Sequence, residues 1–441
     1  MATFHCALAW LGGDRADADV LVTVDGDRIS AVKPGVSAPP DATRLRGLTL
    51  PGLANAHSHA FHRALRSRTQ AGSGSFWTWR DQMYALAARL DPESYYALAR
   101  ATFAEMALAG ITCVGEFHYL HHQADGVPYA DPNAMGAAVL AAAADVGLRI
   151  TLLETCYKGA GLRAPNPIGV QHRFADQNVM AWAERAAELR DGTAVRIGAA
   201  IHSVRAVDPW SIEQVAAWSA DRTAPLHAHV SEQRAENEEC LEVLGRTPMQ
   251  MLADRHALTD RFTAVHATHA SEADLDLLGA AGGWCCLCPT TERDLADGIG
   301  AARAMRDSGV RLTLGSDSNA VIDLLEEARA IELDERLASG VRGSHDAASL
   351  LRAATVGGHA SLGWPDGGRI EVGALADLTT ISLDSVRTVG TSAENALDVA
   401  VFAATSSDVR HVVIGGRVVV ADGQHATIDV AAELGAVLTD P

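Results

Sequence analysis

Eight short runs rich in β-branched and aliphatic residues recur through the middle of the chain, each followed by a helical pattern. They are LTLPGLANAHSH ending at His59, ITCVGEFHY ending at Tyr119, RITLLETCY ending at Tyr157 and VRIGAAIHSV around His202. APLHAHVSE ending at Glu232, FTAVHATH ending at His269, WCCLCPT ending at Thr290 and RLTLGSDSN ending at Asn319 complete the series. Between them lie alanine-rich amphipathic stretches such as YYALARATFAEMALAG, MGAAVLAAAADVG and NVMAWAERAAELR. Glycine or Asp-Pro marks many of the boundaries, as helix caps and turns require. Strand followed by helix, eight times over, predicts parallel strands joined by helical crossovers. The closed form of that arrangement is an α/β chain built as a TIM-like (β/α)8 barrel.

The two ends read differently. Residues up to Arg46 alternate as short strands and turns (VLVTVDGDRISAVKPG), and so do GRIEVGALADLTTISLD and VVIGGRVVVADG after Gly367. Neither end is large enough to hold a core alone, so the two are expected to join into one small β-sandwich. The expected division is 1–46 and 367–441 for the sandwich and 47–366 for the barrel, within a chain of 441 residues.

The polar residues then gather on one rim. His57, His59, Glu116, His118, His202, His229, Glu232, His266, His269, Asp317 and Asn319 all fall at the C-terminal ends of predicted strands. That rim carries the active site in barrels of this kind. An imidazole or carboxylate buried there is costly without compensation, and a metal ion compensates well. His57 and His59 share one face of a strand, because side chains alternate with period two. With His229 and Asp317 they make a candidate set of three imidazoles and one carboxylate. Such a set suits Zn²⁺ better than Mg²⁺ or Ca²⁺, and iron or manganese also accepts these ligand types. One ion per chain is expected, since the third and fourth predicted strands end without a lysine to bridge a second. Cys285, Cys286 and Cys288 are a rival ligand set, but CCLC lies inside a predicted buried strand and reads as apolar packing.

An ion with one open position lowers the pKa of its water to about 7, which is hydrolase chemistry. Glu232, three residues after His229, is the candidate proton shuttle; its bland alternative is a cap of the next helix. His266 is placed to polarise the attacking oxygen, and Asp317 to accept a proton from water. His118, His121 and His122 read as structural or solvent-facing.

The formal net charge of −19 argues against a nucleic-acid partner. Seven scattered cysteines favour a reducing cytoplasm. No window resembles a membrane span, and MATFHCALAW lacks the layout of a secretory signal.

HSH on the first strand, a histidine followed by Glu on the fifth, a histidine on the sixth and SDS on the eighth resemble the amidohydrolase superfamily. HAHVSE is similar to its mononuclear deaminase branch. PGLANAHSHAFHRAL, GSFWTWRDQMY, EFHYLHH, HSVRAV and VHATHA together resemble the formimidoylglutamate deiminases of histidine degradation. That resemblance implies hydrolysis of N-formimidoyl-L-glutamate to N-formyl-L-glutamate and ammonia, and a homodimer. It implies substrate contacts from Arg80, Tyr119, His202 and Arg205. His62 stands where that family often has glutamine; both side chains can donate to a carboxylate, so a substrate role carries over. Arginine forks suit a small dicarboxylate. Arg80 lies in the segment from His62 to Leu90, which holds GSGS and two tryptophans and is a candidate lid. Its alternative is a surface arginine packed on Trp77 or Trp79. The nearest rival activity is another mononuclear-zinc aminohydrolase acting on a purine, a pterin or an adenosine-like ring. A barrel without chemistry is the rival of another class, and metal content separates it.

Overall fold

The computed structural model describes residues 1–70 and 74–439. Its strands run, in chain order, β1 (Ala2–Ala9), β2 (Asp17–Asp25), β3 (Arg28–Lys33), β4 (Thr43–Pro51), β5 (Leu53–Ser58) and β6 (Ile111–His118). There follow β7 (Arg149–Cys156), β8 (Val195–Ser203), β9 (Leu226–Val230), β10 (Phe262–His266), β11 (Trp284–Leu287) and β12 (Arg311–Leu314). The last four are β13 (Leu378–Ile381), β14 (Val409–Ile414), β15 (Arg417–Ala421) and β16 (Gln424–His425).

Strands β5 to β12 pair in chain order, every neighbour parallel. The ring closes at its upper rim through a parallel bridge between Ser58 and Asp317. There Asp317 N–H donates to the His57 carbonyl (3.0 Å) and His59 N–H to the Asp317 carbonyl (3.1 Å). Closure and the candidate site therefore share the same residues.

The alanine-rich stretches are the outer helices. Pro92–Leu108 begins on Asp91, whose carboxylate accepts from Ser94 N–H. Ala134–Val146 ends on Gly147 at φ 85°, and Val179–Ala186 begins on Asn178, which accepts from Met180 and Ala181. Among the described residues no helix is long and apolar enough to cross a membrane.

The other sheet runs β16-β15-β14-β13-β4-β1-β2-β3, so both chain ends build it. Strand β13 pairs antiparallel with β4 and stitches the ends together. Phe4, Val20, Val22 and Leu45 from the first end pack there with Ile370, Leu378 and Val413 from the other.

Two expectations change. The run from Leu48 to His59 is two strands, because β4 stays with the end sheet as far as Pro51 and β5 opens the barrel at Leu53. Gly52 makes the transfer: its N–H donates to the Asp377 carbonyl (2.8 Å), and a Cβ there would stand 2.2 Å from Thr112 Oγ1. WCCLCPT leaves the strand at Leu287, and Thr290 belongs to the short helix Pro289–Asp294. Proline at its first position loses no hydrogen bond.

Candidate metal centre and its pocket

His57 and His59 project from the end of β5, His229 from β9, and Asp317 from just beyond β12. All four are buried. Asp317 Oδ1 lies 3.3 Å from His57 Nε2 and 3.5 Å from His59 Nε2, and His229 Nε2 lies 3.2 Å from His57 Nε2. Two of the three rings are aimed by backbone carbonyls, while the buried His57 Nδ1 has no hydrogen-bond partner. His59 Nδ1 donates to Phe117 (3.0 Å) and His229 Nδ1 to His202 (2.9 Å). A neutral imidazole that donates through Nδ1 keeps its lone pair on Nε2, and these are the atoms that converge. Burial pushes the pKa values of His57, His59 and His229 down, which keeps them neutral. Burial alone would raise Asp317, but the hydrogen bond from His57 and attraction from His266 hold it below the usual carboxylate range. Ligand atoms of His57, His59 and Asp317 lie within 4.8 Å of one another, and so do those of His57, His229 and His266, so the two groups meet at His57. Imidazole nitrogens with an ionised carboxylate are a donor set that fits a zinc-like ion.

The chain bends sharply to achieve this. Asp317, Ser231 and His266 adopt left-handed backbone at φ 41°, 52° and 68°, a conformation costly for such residues and concentrated at functional sites. Gly315 is required by proximity: a Cβ there would lie 2.8 Å from His57 Cβ and 3.0 Å from Cys288 Sγ.

Cys286 and Cys288 pack with Ala54, Ala56, Val265 and Leu362, while Cys285 joins the main core. Burial drives the Cys285 and Cys288 thiols well up. Cys288 nevertheless brings its sulfur within 4.8 Å of ligand atoms on His266 and Asp317. Lys158 directly follows the third predicted strand, which corrects the expectation that no lysine lies at that strand end; it donates to the Gln177 carbonyl (3.1 Å) and does not line the candidate pocket.

Glu232 faces this cluster. Its Oε1 is 3.9 Å from His266 Nε2 and its Oε2 is 3.6 Å from an Arg205 Nη. Burial raises the Glu232 pKa, with His266 and Arg205 pulling against it. The following helix, Arg234–Leu244, starts on Gln233 with no side-chain cap, so Glu232 does not serve as one. His266 Nε2 is also 3.8 Å from Asp317 Oδ2, and its Nδ1 is 3.3 Å from Glu292 Oε1.

One pocket joins His59, His229, Glu232, His266 and Asp317 to His62, Arg80, Tyr119, His202 and Arg205. His62 Nε2 pairs with Tyr119 Oη (2.9 Å), and burial pushes the His62 and His202 pKa values down to about 3. Arg205 sits between Glu232 and Glu236, with its Nε lacking a hydrogen-bond partner. The Arg80 guanidinium lies 4.5 Å from the Trp77 ring centroid and also lines the pocket. The helix Phe76–Ala87 supplies Phe76, Trp79, Arg80, Met83 and Tyr84 to the wall. Ala71, Gly72 and Ser73 of the candidate lid lie outside the described residues.

Other strand-end residues go elsewhere. Glu116 accepts from Ala60 N–H (2.7 Å), and burial raises it to about 8. His269 pairs with the Asp297 carbonyl (2.8 Å), and Asn319 donates to the His59 carbonyl (3.0 Å). His118, His121 and His122 are buried, which corrects the solvent-facing alternative. They join a network in which His121 lies 3.3 Å from Glu154, His122 lies 3.3 Å from Asp176, and Arg185 pairs with both acids. His118, His121 and Glu154 have ligand spacing, but the guanidinium on Glu154 already supplies the cation. Sequence reasoning missed Glu292, Glu236 and Tyr157. The two glutamates sit in the first turns of helices after β11 and β9, where an acid usually reads as a complement to the helix dipole.

The amidohydrolase family model matches residues 48–419. Formimidoylglutamate deiminase from Pseudomonas aeruginosa is 36% identical over 418 residues, which cover 92% of this chain and 91% of that protein. 5-Methylthioadenosine/S-adenosylhomocysteine deaminase from Natronomonas pharaonis is 30% identical, covering 94% and 91%. Among solved structures, an amidohydrolase from Brucella melitensis superposes with a TM-score of 0.93 at 32% identity, covering 100% and 99%. A zinc-bound adenosine deaminase from Xanthomonas campestris superposes with a TM-score of 0.85 at 25% identity, covering 99% and 97%.

Proposed function

The chain belongs to the amidohydrolase family, and on that premise we propose that it is a deiminase converting N-formimidoyl-L-glutamate and water to N-formyl-L-glutamate and ammonia, in histidine degradation. One observation carries the choice of substrate: Arg80 and Arg205 line the same pocket as Glu232, His266 and the candidate ligands. A molecule with two carboxylates at one end and an amidine at the other matches that polarity. The same reading makes the protein a cytoplasmic homodimer acting on a small dicarboxylate, with no nucleic-acid or membrane partner.

His57, His59, His229 and Asp317 would hold one ion, zinc by ligand type, with iron also suited to the set. A bound ion there supplies Lewis acidity and a water that ionises near neutrality. Arg80, Arg205, Tyr119, His62 and His202 hold the glutamate end, so that the terminal nitrogen faces Glu232. Burial raises the Glu232 pKa, toward the range where a carboxyl can take a proton from water and return it to the departing nitrogen. His266, through Nε2, steadies the oxygen that develops negative charge. Asp317 accepts the remaining proton through Oδ2, the oxygen nearer His266.

A second reading has its own support. Phe76, Trp79, Tyr84, Tyr119, Tyr157 and Phe174 also line the pocket and could stack on a purine. Ammonia release from formimidoylglutamate, 5′-methylthioadenosine, S-adenosylhomocysteine, adenosine and guanine separates the two. Formimidoylglutamate is expected to exceed every ring substrate in kcat/KM by about 10³-fold or more. A ring substrate turned over as well or better overturns the proposal.

A further inference from the structure

We propose that Glu292 is a positioning residue that fixes the ring of His266 so that Nε2 points into the gap between Glu232 and Asp317. The inference rests on the function proposed above. His59 and His229 give their Nδ1 protons to backbone carbonyls, whereas His266 Nδ1 faces the Glu292 carboxylate at 3.3 Å. The same oxygen, Glu292 Oε1, accepts the backbone N–H of Cys288 at 2.9 Å, which ties the carboxylate to the end of β11. Glu292 is 3% exposed and is not among the pocket-lining residues, so it acts through His266.

An anchor is needed because the torsion between Cβ and an imidazole ring is broad and roughly two-fold. A half-turn exchanges Nδ1 with a ring carbon and turns Nε2 away from the site. With Glu292 in place, that half-turn sets a C–H against a buried carboxylate and loses the hydrogen bond. The left-handed backbone of His266 (φ 68°) and Ala267 (φ 50°) fixes where the side chain starts, but not its final torsion.

Four variants and a crystal structure test this. Glu292→Gln keeps an oxygen for both Nδ1–H and Cys288 N–H, and should retain kcat within about three-fold. Glu292→Ala should lose about 100-fold in kcat with KM within about two-fold, and the His266→Asn/Glu292→Ala double variant should be no slower than His266→Asn alone. The Glu292→Ala crystal should show the His266 ring rotated or in more than one position. An unchanged kcat in Glu292→Ala, a Glu292→Gln loss as large as that of Glu292→Ala, losses that multiply in the double variant, or a ring held in Glu292→Ala as in the wild type overturns the inference. Thermal unfolding of each variant separates a lost fold from a lost anchor. A wild type inactive on formimidoylglutamate counts against the function alone, and the ring position in the crystal then decides the role of Glu292.

Discussion

The Nε2 atoms of His57 and His229 stand 3.2 Å apart, and both rings are buried. His229 has spent its Nδ1 proton on the His202 carbonyl, so a lone pair faces His57. A shared cation satisfies both rings and Asp317 together. An ion that binds only the folded chain at a thousand times its Kd adds about 4 kcal/mol, or about 4 °C in Tm for a chain of this length. Exhaustive chelation should lower Tm by that amount and abolish ammonia release, and added zinc should restore both. Chelated protein with full activity and an unmoved Tm would sink the metal assignment.

Glu232→Gln keeps the shape of the side chain and removes its proton chemistry. Because Glu232 sits 3.9 Å from His266 and outside the ligand cluster, the variant should still bind one ion per chain. Its kcat should fall by about 10²- to 10⁴-fold. Metal analysis beside an ammonia assay checks this, and undiminished turnover removes Glu232 from the proton path.

Arg80→Met tests the substrate end without touching the acid–base groups. A charge-assisted hydrogen bond to a carboxylate contributes about 1.5–3 kcal/mol, so KM for formimidoylglutamate should rise about 10- to 150-fold. The stem of methionine can still pack on Trp77, which the guanidinium covers at 4.5 Å. Steady-state kinetics with KM unchanged would show that Arg80 serves only that packing.

His118 predicts the acid side of the stability profile. Burial lowers its pKa from 6.5 to about 3, with the charge on Arg185 acting the same way. Below pH 6.5 the unfolded chain takes up a proton that the folded chain refuses. The stability present above pH 6.5 is therefore lost as pH falls toward 3, by about 1.4 kcal/mol per pH unit. His118→Gln should lose correspondingly less between pH 6.5 and 5, measured by urea unfolding at saturating zinc. Parallel losses in both proteins would disprove the assignment.

Much of this was legible in the chain. Period-two alternation placed His57 and His59 on one face, and eight strand–helix repeats implied a closed barrel with its polar residues on one rim. The break at Gly52 was hidden because β-forming residues lie on both sides of it; only Thr112, from a neighbouring strand, makes a side chain there impossible. His118, His121 and His122 look like a polar surface run, and they are buried because Glu154, Asp176 and Arg185 arrive from other segments to pair with them.

By itself the sequence determined what local periodicity and capping can determine: the strand order, the outer helices, and the imidazoles and carboxylates at strand ends. Tertiary structure alone decided which nitrogen of each ring is spent and which is free. That choice depends on acceptors from other strands, the Phe117 and His202 carbonyls and the Glu292 carboxylate. A hydrogen bond depends on distance in space, and separation along the chain carries no record of it.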